Sequence, residues 1–173
     1  RDRGLPLIKY VGPQVWATRP GRAKTLAATV DLLLSIHAFD APWFEAQGLP
    51  VTFVGNSALS LDFSKARPTR LLKQIGAGPT DPILAVLPGS RPGEIERILP
   101  AFEDAVGRLK ATHPQLHVVI PAAPTVAEMV KGRVAGWSHR AHVIEGEAGK
   151  LDAMKAATVA LACSGTVTTE LAL

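Results

Sequence analysis

The sequence predicts an α/β protein built on parallel sheets, and three features carry that expectation. Short runs that are apolar at every position, such as Ile83-Leu84-Ala85-Val86-Leu87, recur along the chain; a strand covered by helices on both faces is apolar throughout instead of alternating. Most of these runs empty into Gly, Pro, Asn or small hydroxyl residues and then into apolar residues at helical spacing, which is the rhythm of βαβ units. Two strand-to-helix junctions, Leu87-Pro88-Gly89-Ser90-Arg91 and Ser164-Gly165-Thr166, are made of residues that suit an anion. Loops at the carboxyl ends of strands are where open α/β sheets bind ligands.

With 173 residues, 47% of them hydrophobic, the chain is globular in composition and long enough for one domain or two small ones. Its formal net charge of +4 comes from scattered Lys and Arg, with 5% aromatics. That distribution argues against a nucleic-acid partner and fits phosphorylated small molecules or an anionic membrane face. Cys163 is the single cysteine, which rules out an intrachain disulfide and a cysteine-based zinc site, and its apolar run marks it as a small core residue. No window approaches the ~18 apolar residues of a membrane span, and the first residues do not resemble a signal peptide; a cytosolic protein is expected. The chain opens on Arg1 and stops at Leu173 inside a helical pattern without a stop signal, so a fragment of a longer protein is expected.

In chain order, residues 7–11 form a short strand closed by Gly12 and Pro13. An aromatic and basic loop follows over 14–22, and then a helix to about Val30. Arg19, Arg22 and Lys24 at the start of that helix have the wrong sign for its dipole, which points to a phosphate or lipid headgroup outside, or else to a plain solvated face. Residues 31–36 are a second buried strand, 41–47 a short helix ended by Gly48, and 51–54 a third strand stopped by Gly55 and Asn56. Over 57–81 the pattern loosens around Pro68, Gly76, Gly78 and Pro79, with helix only at 69–75, and this is the expected interdomain linker. A second series starts with the strand at 83–87. A helix over 94–112 carries Ile95, Ile98, Leu99, Phe102, Val106 and Leu109 on one stripe, with a kink expected at Pro100. Strands at 117–121, 141–144 and 158–163 then alternate with helices at 126–135, at 150–156 and after Thr166.

The two junctions carry the chemistry. Pro88 and Gly89 stop the strand, Gly93 lets backbone approach closely, Ser90 and Arg91 offer a hydroxyl and a planar cationic fork suited to phosphate, and Glu94 opens the helix. Ser164, Gly165 and Thr166 repeat that logic, because the free N–H groups and dipole of a helix start favour an anion. Glu170 lies one turn beyond Thr166 on the same side, where a carboxylate can accept hydrogen bonds from ribose hydroxyls. The plain alternatives are an ordinary turn with a solvated Arg91, and a Ser164 or Thr166 that only caps its helix. Neither junction has the spacing of a P-loop or of G-x-G-x-x-G, which disfavours ATPase and NAD-dehydrogenase readings. The five histidines show no metal spacing. Glu94, Glu96, Glu145 and Glu147 are available as ligand contacts but form no evident acid/base pair.

Taken in order, Tyr10-Val11-Gly12-Pro13-Gln14-Val15-Trp16-Ala17, the Arg19-Pro20-Gly21-Arg22 that follows, Phe53-Val54-Gly55, Leu87-Pro88-Gly89-Ser90-Arg91 with Gly93 and Glu94, and Ser164-Gly165-Thr166 with Glu170 resemble the bacterial lipid-A-disaccharide synthase family over nearly the whole chain. The resemblance implies a GT-B type glycosyltransferase of two Rossmann-like domains, acting at the inner membrane as a peripheral protein without metal or cofactor. It would join UDP-2,3-diacylglucosamine to 2,3-diacylglucosamine 1-phosphate and release UDP. On this reading residues 1–56 end the acceptor-side domain, 57–81 link, and 82–173 begin the UDP-sugar domain. Ser90 and Arg91 match the loop that contacts the donor diphosphate, Glu94 the acid after it, and Ser164, Gly165, Thr166 and Glu170 the nucleotide-side motif. The family's catalytic carboxylate would lie upstream of Arg1, so no base is named, and the chain alone is expected not to catalyse transfer. The family usually reads Trp-Ala-Trp, Pro-Phe-Glu and Val-Gly-His-Pro where this chain has Trp16-Ala17-Thr18, Ala38-Phe39-Asp40 and Val54-Gly55-Asn56-Ser57. The alternatives are another GT-B enzyme of UDP-sugars, epimerase or transferase, and a nucleotide-binding module without catalysis.

Overall fold

A computed structural model describes residues 4–173. It divides into two compact units, one up to Ser60 and one from Leu61 onward, each with its own all-parallel sheet. The α/β class with parallel sheets is borne out.

In the first unit β1 (Ile8–Tyr10), β2 (Leu32–Ser35) and β3 (Val51–Phe53) pair in the order β1-β2-β3. Helices α1 (Arg22–Thr29) and α2 (Ala41–Glu45) connect them, the second preceded by a 3-10 turn at Ala38–Asp40. The core gathers around the middle strand, where Leu33 packs with Val15, Ala23, Phe44 and Leu49. Gly12 is required where the chain leaves β1, because a Cβ there would lie 3.0 Å from Cζ of Phe44. Val11 and Arg19, at φ 65° and 53°, hold left-handed backbone on either side of this turn, a strained geometry for a β-branched residue.

In the second unit a 3-10 turn at Phe63–Lys65 and helix α3 (Pro68–Ile75) precede β4 (Ile83–Leu87), α4 (Pro92–Thr112), β5 (His117–Ala122), α5 (Ala127–Val134), β6 (Ala141–Glu145), α6 (Glu147–Ala156), β7 (Val159–Ala162) and α7 (Thr166–Leu171). The sheet order is β6-β5-β4-β7. All five residues of β4 are buried, and their alternation divides the core. Leu84 and Val86 join Val118 and Ile120 of β5 under α4 and α5. Ile83, Ala85 and Leu87 point the other way, to Leu71 and Ile75 of α3 and Ala153 and Met154 of α6.

Two helix starts differ from the sequence expectation by two residues or more. α4 begins at Pro92, not Glu94: Pro costs nothing at a first helical position, whose N–H has no intrahelical partner. It then runs unbroken through Pro100 to Thr112. Ile95, Leu99 and Val106 form the buried line of its stripe, while Leu109 on the flank is exposed. α6 begins at Glu147, not Lys150. Gly149 reads as a breaker in the sequence, yet it is a contact residue, since a Cβ there would lie 2.6 Å from Cγ2 of Ile144.

Helix α6 is fastened to the segment before β4 by a buried carboxylate. Asp152, 2% exposed, accepts the Arg67 backbone N–H at 2.6 Å and the Arg70 Nε–H at 2.6 Å. That carboxylate raises the Arg70 guanidinium pKa above its ordinary value.

Candidate functional site

The order β6-β5-β4-β7 means that the chain steps outward from β4 through β5 to β6 and then returns to the other side of β4 as β7. The connections leaving β4 and β7 therefore diverge, and in an open parallel sheet the crevice at such a reversal, outside the carboxyl ends of the strands, is where ligands bind. A cleft of about 630 Å³ lies there, lined by residues following all four strands. Ser90, Arg91, Glu94, Ser164, Gly165, Thr166 and Glu170, read from the sequence as one site, all line it.

The wall after β4 is organised by Glu94. Its Oε2 accepts the backbone N–H groups of Ser90 at 3.2 Å and Arg91 at 3.3 Å, and its Oε1 accepts from Arg91 Nη1 at 2.7 Å. This is one half of a capping box: Glu94, the third helical residue, accepts the backbone N–H of the N-cap Arg91, while the guanidinium, which has no acceptor, donates to the same carboxylate. Gly89, at φ 113°, makes room for it, since a Cβ there would lie 2.6 Å from the same Oε2. Glu94 thus shapes the loop, while the Arg91 side chain, 80% exposed, extends into solvent at the cleft. Thr125, on the connection after β5, donates to the Ser90 carbonyl at 3.3 Å and ties the neighbouring loop to this wall.

The opposite wall is Cys163, Ser164, Gly165 and Thr166 leading into α7. Gly165 has φ 148°, and its carbonyl accepts from Thr168 Oγ1 at 2.6 Å. Burial, and then the charge of Glu94, push the Cys163 thiol pKa up, which disfavours the reactive thiolate. Lys150, from the first turn of α6, completes the floor in an ion pair with Glu170 at 2.6 Å. The sequence reading missed Lys150. The available signal was its position just beyond the Gly146-Glu147 turn, at the same strand-end level as the other loops.

Other carboxylates noted in the sequence divide by position. Glu147 lines the cleft, whereas Glu145 pairs with Lys131 at 2.6 Å and Glu96 is exposed on α4. Of the histidines, His142 is held below its ordinary pKa by burial and then by Arg140 and His117. Among the described residues no group of three or more His, Cys, Asp or Glu is placed to hold a metal ion, and no helix is long and apolar enough to cross a membrane. Each cleft cation already faces a carboxylate, Arg91 with Glu94 and Lys150 with Glu170, so the site is charged without being strongly cationic.

The sequence model of lipid-A-disaccharide synthetase matches residues 1–173. The chain belongs to that family. Among similar curated proteins, the lipid-A-disaccharide synthase of Rhodospirillum centenum is 45% identical over 169 residues, 98% of this chain and 42% of that protein. The synthase of Paramagnetospirillum magneticum is 39% identical over 175 residues, all of this chain and 45% of its own length. The chain therefore spans less than half of these relatives. Among solved structures, UDP-GlcNAc 2-epimerase from Neisseria meningitidis bound to UDP-GlcNAc superposes with a TM-score of 0.65 at 16% identity, over 98% of this chain and 51% of the other. The S. aureus MnaA–UDP co-structure gives 0.63 at 18% identity, over 98% and 48%. At such identities the likeness is one of fold.

A hydrogen bond from the Arg91 side chain, and then one from the Ser90 backbone, hold the Glu94 carboxyl below its ordinary 4.5. A carboxyl lowered in this way contributes stability that is present above its unfolded value and is lost as pH falls through the lowered one. Wild type is expected to melt higher than Glu94→Gln at neutral pH, with the difference shrinking as the pH is taken below 4.5. Paired thermal melts check this; a difference that does not change with pH would mean that the Glu94 charge does not hold the loop.

Proposed function

We propose that this chain supplies the end of the acceptor-side domain and the first part of the UDP-sugar domain of a glycosyltransferase that joins UDP-2,3-diacylglucosamine to 2,3-diacylglucosamine 1-phosphate and releases UDP. The observation that carries the reading is the meeting of the β4 and β7 junctions in one cleft, in a chain of the synthetase family. In this proposal residues 82–173 form the first part of the UDP-sugar domain, 57–81 the interdomain linker and 1–56 the end of the acceptor-side domain. Arg91 meets the donor diphosphate together with Ser90, and Glu94 keeps the loop amides and the guanidinium in place. Ser164, Gly165 and Thr166 contact the nucleotide from the opposite wall, and Glu170 accepts the ribose hydroxyls.

The chemical role of the UDP-sugar part is electrostatic. As the glycosidic bond to the donor breaks, negative charge builds on the departing UDP, and a cation fixed beside the diphosphate stabilises that charge more than it does the ground state. A preorganised donor of this kind contributes roughly 3–4 kcal/mol. In the full-length protein, Arg91→Ala is expected to cut turnover by about 10²–10³-fold and to lower the melting temperature no further than Glu94→Gln does, because the side chain is largely in solvent and the Glu94 bonds to the Ser90 and Arg91 backbone N–H groups remain. UDP release from acylated donor and acceptor measures it; near-normal turnover would remove Arg91 from the mechanism.

The proposal extends to the cytoplasmic face of the inner membrane, where acylated substrates reside. In the first unit Trp16 meets Phe39 edge-on, with ring centroids 5.3 Å apart, and Phe39 stacks on His37 at 5.1 Å. Trp16 and Phe39 are exposed large hydrophobics, and Arg19, Arg22 and Lys24 follow Trp16 closely in sequence. Aromatic rings entering the headgroup zone beside cations that meet anionic lipid would make a docking patch. Replacing the three cations by Gln should weaken binding to anionic vesicles and flatten its salt dependence. Equal binding by wild type and triple variant at low salt would leave only a solvated helix start.

A further inference from the structure

β6 and β7 are the two edges of the second sheet, with β5 and β4 between them. The helices that follow them nevertheless border one core cluster, to which α6 contributes Ala153 and Met154 and against which Val167 and Leu171 of α7 pack. Where the two helices face the cleft, Lys150 Nζ lies 2.6 Å from Glu170 Oε2, with the side chains only 26% and 13% exposed. An ion pair this sheltered is weakly screened, and losing one partner leaves a poorly hydrated charge that must reorient.

The two partners are not held equally. Lys150 comes from a helix end pressed against Ile144 at Gly149 and fastened two residues further on by the Asp152 contacts to Arg67 and Arg70. Glu170 stands on a six-residue helix with no buried residue. The fixed ammonium therefore dictates where the carboxylate points. A carboxylate has two oxygens and about four acceptor directions, so one oxygen can face Lys150 while the group still accepts from two vicinal hydroxyls.

We propose that Lys150 is a positioning residue that orients Glu170 towards the ribose of a bound nucleotide, so that the Lys150–Glu170 pair selects ribose over 2′-deoxyribose. This rests on the uridine-nucleotide reading of the cleft. A site built to accept a hydroxyl penalises a ligand that lacks it, because its own acceptor is then left unpaired.

The test is calorimetric titration of wild type, Lys150→Met, Lys150→Arg, Glu170→Gln and the Lys150→Met/Glu170→Gln double variant with UDP and with 2′-deoxy-UDP. Wild type should favour UDP by about 10–100-fold. Lys150→Met should lose most of that preference through weaker UDP binding, Lys150→Arg should keep it, and the double variant should resemble Glu170→Gln alone. A merely structural lysine would weaken both ligands equally, and an unchanged ratio in Lys150→Met would overturn the proposal while leaving the nucleotide reading in place. Failure of wild type to bind UDP would overturn the reading itself. Should Lys150→Met not fold, Lys150→Gln carries the same expectation.

Discussion

The second unit depends on one constraint, that β4 is hydrogen-bonded on both sides and buried on both faces. Burying each Val, Leu or Ile side chain contributes on the order of 1.5–3 kcal/mol, so a strand that is apolar at every position is stable only where helices cover both faces. That requires helices on both faces and strands on both sides, and a chain that begins at β4 must reverse direction to place β7 there. The crevice is the geometric remainder of that reversal. The loops that line the cleft lie where they do because the most apolar stretch must be central.

At the rim of that strand the physics changes from burial to the placement of charge. The turn after β4 has backbone N–H groups facing the cleft, and the carboxylate of Glu94 satisfies two of them while holding Arg91. On the other wall, Lys150 does for Glu170 what Glu94 does for Arg91. Arg91 and Glu170, the two charged groups proposed to meet the ligand, thus each have an opposite charge beside them that sets their direction before any ligand arrives, which is how a site avoids reorganisation at the moment of binding.

The strands and the two cleft-lining loops were legible in the sequence because each rests on a local signal: unbroken apolar runs for 83–87, 118–121 and 159–163, and the small and cationic residues at their ends. α6 was misplaced at its start because Gly149 looks like a breaker, and only the approach of Ile144 shows why a glycine sits inside the helix. Asp152 and Lys150 were invisible for a different reason. Asp152 reaches back more than eighty residues, to Arg67 and Arg70, and Lys150 forward to Glu170; tertiary ion pairs leave no periodicity to read. The Glu94 half of a capping box was hard to read, because the N-cap here is an arginine, which is outside the usual set and has no acceptor to complete the motif.

The central claim is that the β4 and β7 junctions make a single nucleotide site. It is tested most directly by titrating the chain with UDP and following its backbone amides by NMR. The account predicts shift changes concentrated at residues 89–91, 164–167 and around Lys150 and Glu170, saturating together with one dissociation constant. Changes confined to one junction, or centred in the first unit, would contradict it.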